Sequence, residues 1–177
     1  MAYQEFKKAA QNGHAEAQNY LGVMYIKNQG APHDLQQAAY WMELAAKQGR
    51  LNAQFNLALM YSNGKGVDQD DKQAAYWYQM AAEQGFTKAQ FNIGAMYSRG
   101  QGVTRDDKKA VYWYQLAAQS GHIGAQNNLG VMYEQGRGVL KDYKQAAYWF
   151  EMAAKQGDED AQFNLNAMTL NSKLRAY

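Results

Sequence analysis

The stretch AQNNLGVMY at residues 125–133 nearly repeats the stretch AQNYLGVMY at residues 17–25. The two copies start 108 residues apart, which is three times 36, and they differ at one position. The pair Ala-Gln recurs every 36 residues, at Ala17, Ala53, Ala89, Ala125 and Ala161. A fixed period of this length is the signature of an array in which each unit packs only on its neighbours. The sequence therefore predicts a repeat protein.

Each unit carries two apolar patterns with the period of an α-helix. In the second unit, Ala53, Leu57 and Met60 follow one another at i, i+4 and i+7, and a second pattern passes through Trp77. Such spacing places the apolar residues on one helix face. We name the first helix of each unit helix A and the second helix B. No strand pattern and no apolar run long enough for a membrane span is present, so the fold class is all-α.

Residues with strong end preferences bound these helices. A glycine closes each helix B, and an aspartate stands as N-cap before it, at Asp34, Asp70, Asp106 and Asp142. We expect about ten antiparallel helices in the order B, then A and B four times, then A. The predicted spans are 3–12, 15–28, 35–48, 51–63, 71–84, 87–99, 107–120, 123–135, 143–156 and 159–171, with a tail over 172–177.

A small residue recurs within helix A, as Gly22, Ala58, Gly94 and Gly130. Glycine inside a helix costs about 1 kcal/mol relative to alanine. Its repetition predicts that a large side chain of a neighbouring helix lies directly against this backbone. The last helix A carries Asn166 instead, and we expect that helix to be a cap whose outer surface faces water.

Composition excludes several classes of function. The 18 basic and 16 acidic residues are mixed along the chain and give a net charge of +2, so nucleic acid is not an expected partner. The absence of cysteine excludes disulfides and thiol chemistry. No signal peptide is seen, but the chain opens inside a helix B, as a trimmed chain would. We expect a soluble protein, and the compartment stays open between cytoplasm and periplasm.

No catalytic, cofactor or metal motif is found. The G-x-G pairs, such as Gly64 and Gly66, share one phase of the repeat and predict turns rather than phosphate loops. The acidic residues around Asp70 suit helix capping better than a calcium loop. The three histidines fall at turns, and the periodic tryptophans predict core. We therefore predict no enzyme activity, no cofactor and no metal.

The pattern AQ-x-N-LG-x-MY, then G-x-GV, D-x-x-(K/Q)-A-x-x-W and AA-x-x-G resembles the Sel1-like repeat family. Close matches stand at 53–85, 89–121 and 125–157, and tetratricopeptide repeats differ in having a period of 34. The resemblance implies a right-handed α/α superhelix, with helices A on the concave side and helices B on the convex side. The expected organisation is a single solenoid over 1–177, with helix B 3–12, repeats 15–50, 51–86, 87–122 and 123–158, and terminal helix A 159–171.

The face of helix A opposite the core predicts a binding surface. It comprises Asn19, Tyr20, Val23, Phe55, Asn56, Leu59, Phe91, Asn92, Ala95, Arg99, Asn127, Asn128, Val131, Phe163 and Asn164. The phenylalanines either anchor a ligand or fill seams between A helices. The asparagine ladder Asn56, Asn92, Asn128 and Asn164 either binds an extended peptide backbone or bonds to neighbouring helices.

The resemblance also implies a class of function. Family members are mostly adaptors and interaction scaffolds, so we expect a protein or peptide segment as partner, held in the concave groove. A first alternative is an immunity protein that neutralises a cognate secreted toxin or effector. A second is self-association through exposed terminal helices, because the first helix B carries Tyr3 and Phe6. Membrane insertion is not expected.

Overall fold

A computed structural model describes residues 2–174, and the side chains of residues 3–170. Over residues 2–174 the chain forms ten α-helices and no strand, which confirms the all-α prediction. The helices are α1 Ala2–Gln11, α2 Ala15–Lys27, α3 Leu35–Lys47, α4 Leu51–Asn63, α5 Asp71–Glu83, α6 Thr87–Arg99, α7 Asp107–Gln119, α8 Ile123–Gln135, α9 Tyr143–Ala154 and α10 Glu159–Leu174. Even-numbered helices are the A helices and odd-numbered ones are the B helices.

The chain divides into two compact units. The first comprises Met1–Ala89 with Gln101–Val103, and the second comprises Gln90–Gly100 with Thr104–Tyr177. Within the first unit α2 packs on α3 and α4 on α5, and within the second α8 packs on α9. The single solenoid over 1–177 stays a prediction.

The predicted helix ends are largely confirmed. Asp34, Asp70 and Asp142 each accept from two backbone N–H groups of the following helix, and Asp106 accepts from the backbone N–H of Lys109. Helices B end one or two residues earlier than predicted, because the residue before the closing glycine already leaves helical geometry, as at Gln48 with φ −86° and ψ 11°. The aspartates therefore fix where each helix B begins.

The last helix departs from its predicted span. Helix α10 reaches Leu174, three residues beyond the predicted end at 171, so 172–174 are helical rather than tail. No glycine follows to close it, whereas Gly64 and Gly136 close α4 and α8. Asn166 is exposed, as the cap prediction requires, and so is Thr169, which stands where the other A helices carry tyrosine. The rest of the predicted tail, 175–177, lies outside the described residues.

The small residue of helix A lies against a large side chain of helix B, as predicted. A Cβ atom built on Gly130 would lie 2.7 Å from Cδ1 and Cε1 of Phe150, which is fully buried. At Gly94 the Cβ would lie 3.0 Å from Cδ1 of Tyr114. The absence of a side chain on helix A thus admits the large side chain, and the two helices interlock.

The core itself follows the repeat. Trp41, Trp77, Trp113 and Trp149 are 6–8% exposed, which confirms their assignment to the core. The preceding tyrosines, in contrast, are about half exposed and lie with their ring edges against these tryptophans. Apolar burial along this strip is the main stabilising term, as in other repeat arrays.

A buried glutamine ties α2, α4 and α8 to the helix B that precedes each of them. The Gln54 Nε2 donates to the Ala46 carbonyl oxygen at 3.2 Å, and its Oε1 accepts from Gln84 Nε2 at 2.7 Å. In the second unit Gln126 donates to Ala118 and accepts from Gln156 in the same way. Because a buried amide without partners is costly, these bonds explain why glutamine follows alanine at the start of helix A.

The G-x-G loops pack against the preceding helix B. A Cβ on Gly66 would overlap the backbone of Leu35, and one on Gly138 would overlap the backbone of Asp107, so only glycine permits this approach. The side chain between the two glycines then lies close to the start of that helix B. Gln101 Nε2 donates to Asp71 Oδ1 at 3.1 Å, and Arg137 Nη2 donates to Asp107 Oδ1 at 2.7 Å. We call these two contacts loop staples.

The Arg137 staple has further partners. Arg137 Nη2 also donates to Ser98 Oγ at 3.2 Å, and Arg105 donates to the Asp107 carboxylate at 2.9 Å. The hydrogen bonds from Arg137 and then from Arg105 hold the pKa of Asp107 below its ordinary value. Asp107 therefore stabilises the fold above its unfolded pKa of about 4, and this contribution is lost as pH falls through its folded pKa.

We predict that Gly130→Ala is destabilising and that Gly94→Ala is far less so. The new methyl group at residue 130 has to displace the buried ring of Phe150, at a cost of about 1–3 kcal/mol in the free energy of unfolding. Residue 94 is the control, because the second repeat already carries Ala58 at this position with Tyr78 in the place of Tyr114. Urea unfolding followed by circular dichroism measures both. Equal losses in the two variants would contradict the interlocking role of Phe150.

We predict that Arg137→Met lowers the free energy of unfolding by about 0.5–1 kcal/mol at neutral pH, the range for partly exposed ion pairs. The difference from the wild type should shrink as the pH falls through the lowered folded pKa of Asp107, because the carboxylate then becomes protonated in the wild type as well. Urea unfolding at neutral and acidic pH measures this, with Lys144→Met, an exposed lysine on α9, as control. A pH-independent difference would show that the effect does not pass through Asp107.

Candidate binding surface

In the first unit, the outward face of helices A is partly exposed. Tyr20 on α2 is 48% exposed, and its ring lies 5.5 Å from that of Phe6. Val23 on α2 and Asn56 and Leu59 on α4 are half-buried. These side chains form a narrow, partly accessible strip of apolar and amide groups, and its role in binding stays a prediction. Whether the A helices line a concave side stays a prediction.

Asn19 departs from the expectation of an accessible residue. It is only 9% exposed, and its Oδ1 has no hydrogen-bond partner among the described residues. Helix α2 packs against both α1 and α3. Because both neighbours cover part of α2, its accessible face is narrower than the angular positions of its own residues suggest. Asn19 therefore does not belong to the accessible surface.

The phenylalanines divide between the two alternatives. The ring of Phe55 lies 5.7 Å from that of Tyr78 and 4.9 Å from that of Phe86. In the second unit, Phe91 lies 5.9 Å from Tyr114 and stacks on His122 at 4.4 Å. These contacts support the seam-filling role for Phe55 and Phe91. The third aromatic of the series, Phe163 on α10, is 72% exposed.

The asparagine ladder is partly used within the chain. In the second unit Asn164 Nδ2 donates to Asn127 Oδ1 at 3.1 Å, which links α10 to α8. Burial raises the pKa of Tyr114, and a hydrogen bond with the Asn128 side chain opposes that rise. Asn128 and Asn164 therefore bond to other residues of the second unit. Asn56 and Asn92 are half-buried members of the same ladder.

The remaining predicted residues lie in the second unit and differ in accessibility. Val131 packs against the core residues Ala146 and Phe150 while keeping part of its surface accessible. Ala95 is half-buried, and Arg99 is exposed at the end of α6. The accessible residues of the second unit thus include apolar side chains as well as an arginine.

A pocket of about 380 Å³ opens in the first unit between α2, α3 and α4. Its apolar lining comes from Ile26, Leu35, Leu59 and Met60. Asn56 and Lys65 also line it and supply an amide and an ammonium group. We name this cavity the α2–α4 pocket. A concave apolar pocket with a few polar groups is the usual form of a recognition site.

Of the residues that line the α2–α4 pocket, Asn56 and Leu59 belong to the predicted binding surface, whereas the others do not. Ile26 and Leu35 lie at helix ends, Met60 was assigned to the core, and Lys65 belongs to a G-x-G loop. A signal was present nonetheless. The residue between the two glycines of a loop can be paired with the residue 30 positions before it. The pairs Asp71 with Gln101 and Asp107 with Arg137 contain a carboxylate, whereas the pair Leu35 with Lys65 does not.

The histidines have structural roles in the turns. His14 Nδ1 lies 3.2 Å from the Ala9 carbonyl oxygen, and His33 Nδ1 lies 3.1 Å from that of Ile26. His122 Nδ1 accepts from the backbone N–H of Ala125 at 3.2 Å. Within the described part of the chain, no group of three or more His, Cys, Asp or Glu residues could hold a metal ion.

None of the helices among the described residues has both the length and the apolar character that a membrane span requires.

Comparison with known proteins supports the repeat assignment. The family model described as Sel1 repeat matches residues 15–49, 51–86, 87–122 and 123–158. No curated protein matches the chain. Among solved structures, c5321, a protective antigen present in uropathogenic Escherichia coli strains displaying an SLR fold, is 41% identical with a TM-score of 0.89. That match covers 94% of this chain and 36% of c5321.

Two further structures are similar. A Sel1 repeat protein from Oxalobacter formigenes is 36% identical over 94% of this chain and 48% of its own, with a TM-score of 0.82. Helicobacter pylori cysteine rich protein B is 28% identical over 75% of this chain and 96% of its own, with a TM-score of 0.58. Sel1 repeat proteins are generally protein-interaction scaffolds. Because four consecutive matches to the family model cover most of its length, this chain belongs to the Sel1 repeat family.

Proposed function

We propose that this chain is a non-catalytic interaction module that holds a segment of another protein against the outward strip of its A helices. The observation that carries the proposal is the α2–α4 pocket, whose apolar wall includes Leu59 from the predicted surface. Large apolar side chains around an open pocket are characteristic of anchor sites in protein interfaces.

The shape and chemistry of the pocket favour a peptide segment. A volume of about 380 Å³ accommodates a large apolar side chain and part of its flanking backbone. Asn56 supplies an amide that can both donate to and accept from a peptide group. An extended segment would expose such peptide groups because its backbone has no internal hydrogen bonds.

The second unit offers further contacts for the same kind of partner. Phe163 is 72% exposed on α10, and Arg99 is exposed on α6. An exposed aromatic ring and an arginine are the side chains most enriched in interface anchors. The two other predicted functions, a toxin-neutralising inhibitor and a self-associating module, stay predictions.

We predict that Leu59→Glu strongly weakens peptide binding while leaving the fold intact. Short random peptides displayed on phage are selected against the wild-type chain, and the dissociation constants of the enriched peptides are then measured for both proteins. A carboxylate on the pocket wall should weaken binding by about tenfold or more, because it removes an apolar contact and adds a buried charge.

The matched control is Leu140→Glu, which makes the same change at a leucine that is 91% exposed in the loop before α9. Circular dichroism and thermal unfolding verify that both variants fold. Equal affinity of the wild type and a folded Leu59→Glu variant for every enriched peptide would overturn the proposed function.

A further inference from the structure

The α2–α4 pocket can be compared with the equivalent positions in the following repeats. In the second unit the loop residue Arg137 extends along the preceding repeat and binds Asp107 at 2.7 Å and Ser98 Oγ at 3.2 Å. In the first unit Gln101 makes the corresponding bond to Asp71 at 3.1 Å. Each staple lets a polar side chain of one repeat satisfy a carboxylate of the repeat before it.

The pocket lies where such a staple cannot form. Leu35 stands at the position of Asp71 and Asp107, and Ile26 stands at the position of Ser98. The loop residue here is Lys65, which lines the pocket and is exposed to solvent. Because Ile26 and Leu35 have hydrocarbon side chains, neither can accept from Lys65 as Ser98 and Asp107 accept from Arg137.

Three features therefore coincide at one place. The internal carboxylate is missing, an apolar cavity of about 380 Å³ has opened, and a lysine remains at its edge. A departure from the repeat that removes stabilising contacts is expected where the site serves recognition rather than stacking. In the two repeats that form a staple, this position is occupied by an aspartate whose carboxylate accepts from the loop residue, whereas the last repeat carries Tyr143 there.

We propose that the α2–α4 pocket recognises an acidic–apolar peptide segment of another protein. An apolar side chain enters between Ile26, Leu35 and Leu59, and an Asp or Glu one or two residues away pairs with Lys65. The partner thereby supplies the carboxylate that Asp71 and Asp107 supply in the other staples. This inference rests on the proposed function and adds the chemical class of the partner to it.

Charge complementarity supports this occupant over a purely apolar one. Lys65 is an exposed ammonium group, so pairing with a carboxylate at the edge of an apolar cavity adds to selectivity more than to affinity. Asn56 beside the pocket can hold the peptide backbone between the two recognised side chains. The sequence preference of bound peptides is therefore the sharpest observable.

The first test is a reversal of specificity. Peptides enriched on the wild type should carry an apolar residue with Asp or Glu within two positions. When the same phage-displayed random library is selected on Lys65→Glu, Lys or Arg should replace the Asp or Glu of the enriched peptides. Peptides selected on the wild type should bind Lys65→Glu about tenfold more weakly than they bind the wild type. Lys72→Glu, an exposed lysine on α5 of the same unit, makes the same change in net charge and should leave both preferences unchanged.

The second test restores the internal staple. Leu35→Asp places a carboxylate at the first position of α3, where an acidic residue also suits the helix N-terminus. Lys65 then has the same kind of partner as Gln101 and Arg137, and the apolar wall is interrupted. The variant should fold with an unfolding midpoint close to that of the wild type, and it should lose binding of the acidic–apolar peptides.

The possible outcomes separate the two proposals. Two outcomes would overturn the inference and leave the proposed function intact. In the first, the enriched peptides depend on Leu59 but show no preference for Asp or Glu. In the second, they bind Leu35→Asp and Lys65→Glu as tightly as the wild type. A library that yields no Leu59-dependent peptide would overturn both. Concentration-dependent sedimentation that Leu35→Asp abolishes would identify a second copy of this chain as the occupant, which would also overturn the inference.

Discussion

The close approach between the backbone of helix A and a large side chain of helix B is the constraint on which the rest of the structure depends. Gly130 admits the buried ring of Phe150, and Gly94 admits Tyr114. This contact fixes the spacing and rotation of the two helices, so the length of the connecting loop cannot vary freely. Gly138 then brings the loop against the backbone of Asp107, a second close approach that also tolerates no insertion. The strict period of 36 residues follows from these contacts.

Under this constraint, most of the variation between repeats still serves packing. In one repeat Phe55 contacts Tyr78 and Phe86. In the next repeat Phe91 makes the corresponding contacts with Tyr114 and His122. In contrast, the change to Leu35 and Lys65 exchanges a satisfied polar contact for an apolar cavity beside a cation. Variation that loses an internal contact is a better guide to recognition than variation that preserves one.

The helices, their caps and the buried face were predictable because each depends on local preferences or on the period itself. Asp106 caps α7 and Trp113 lies in the core, as the spacing requires. The accessible surface was less predictable, since the exposure of a residue depends on neighbours about 30 positions away. Asn19 is buried on α2, which packs against α1 and α3, and Asn164 on α10 bonds to Asn127 on α8. The α2–α4 pocket also combines two repeats, so no single helix shows it.

The central claim is that recognition resides where the internal staple is missing, between α2 and α4. Methyl-labelled NMR spectra of the wild type, recorded during titration with an enriched peptide, test it directly because each methyl group reports its own environment. The account predicts that the largest chemical-shift changes fall on Ile26, Leu35 and Leu59. It would be contradicted if those methyl groups stayed unperturbed while Leu44 on α3 and Leu116 on α7, on the B helices, shifted most.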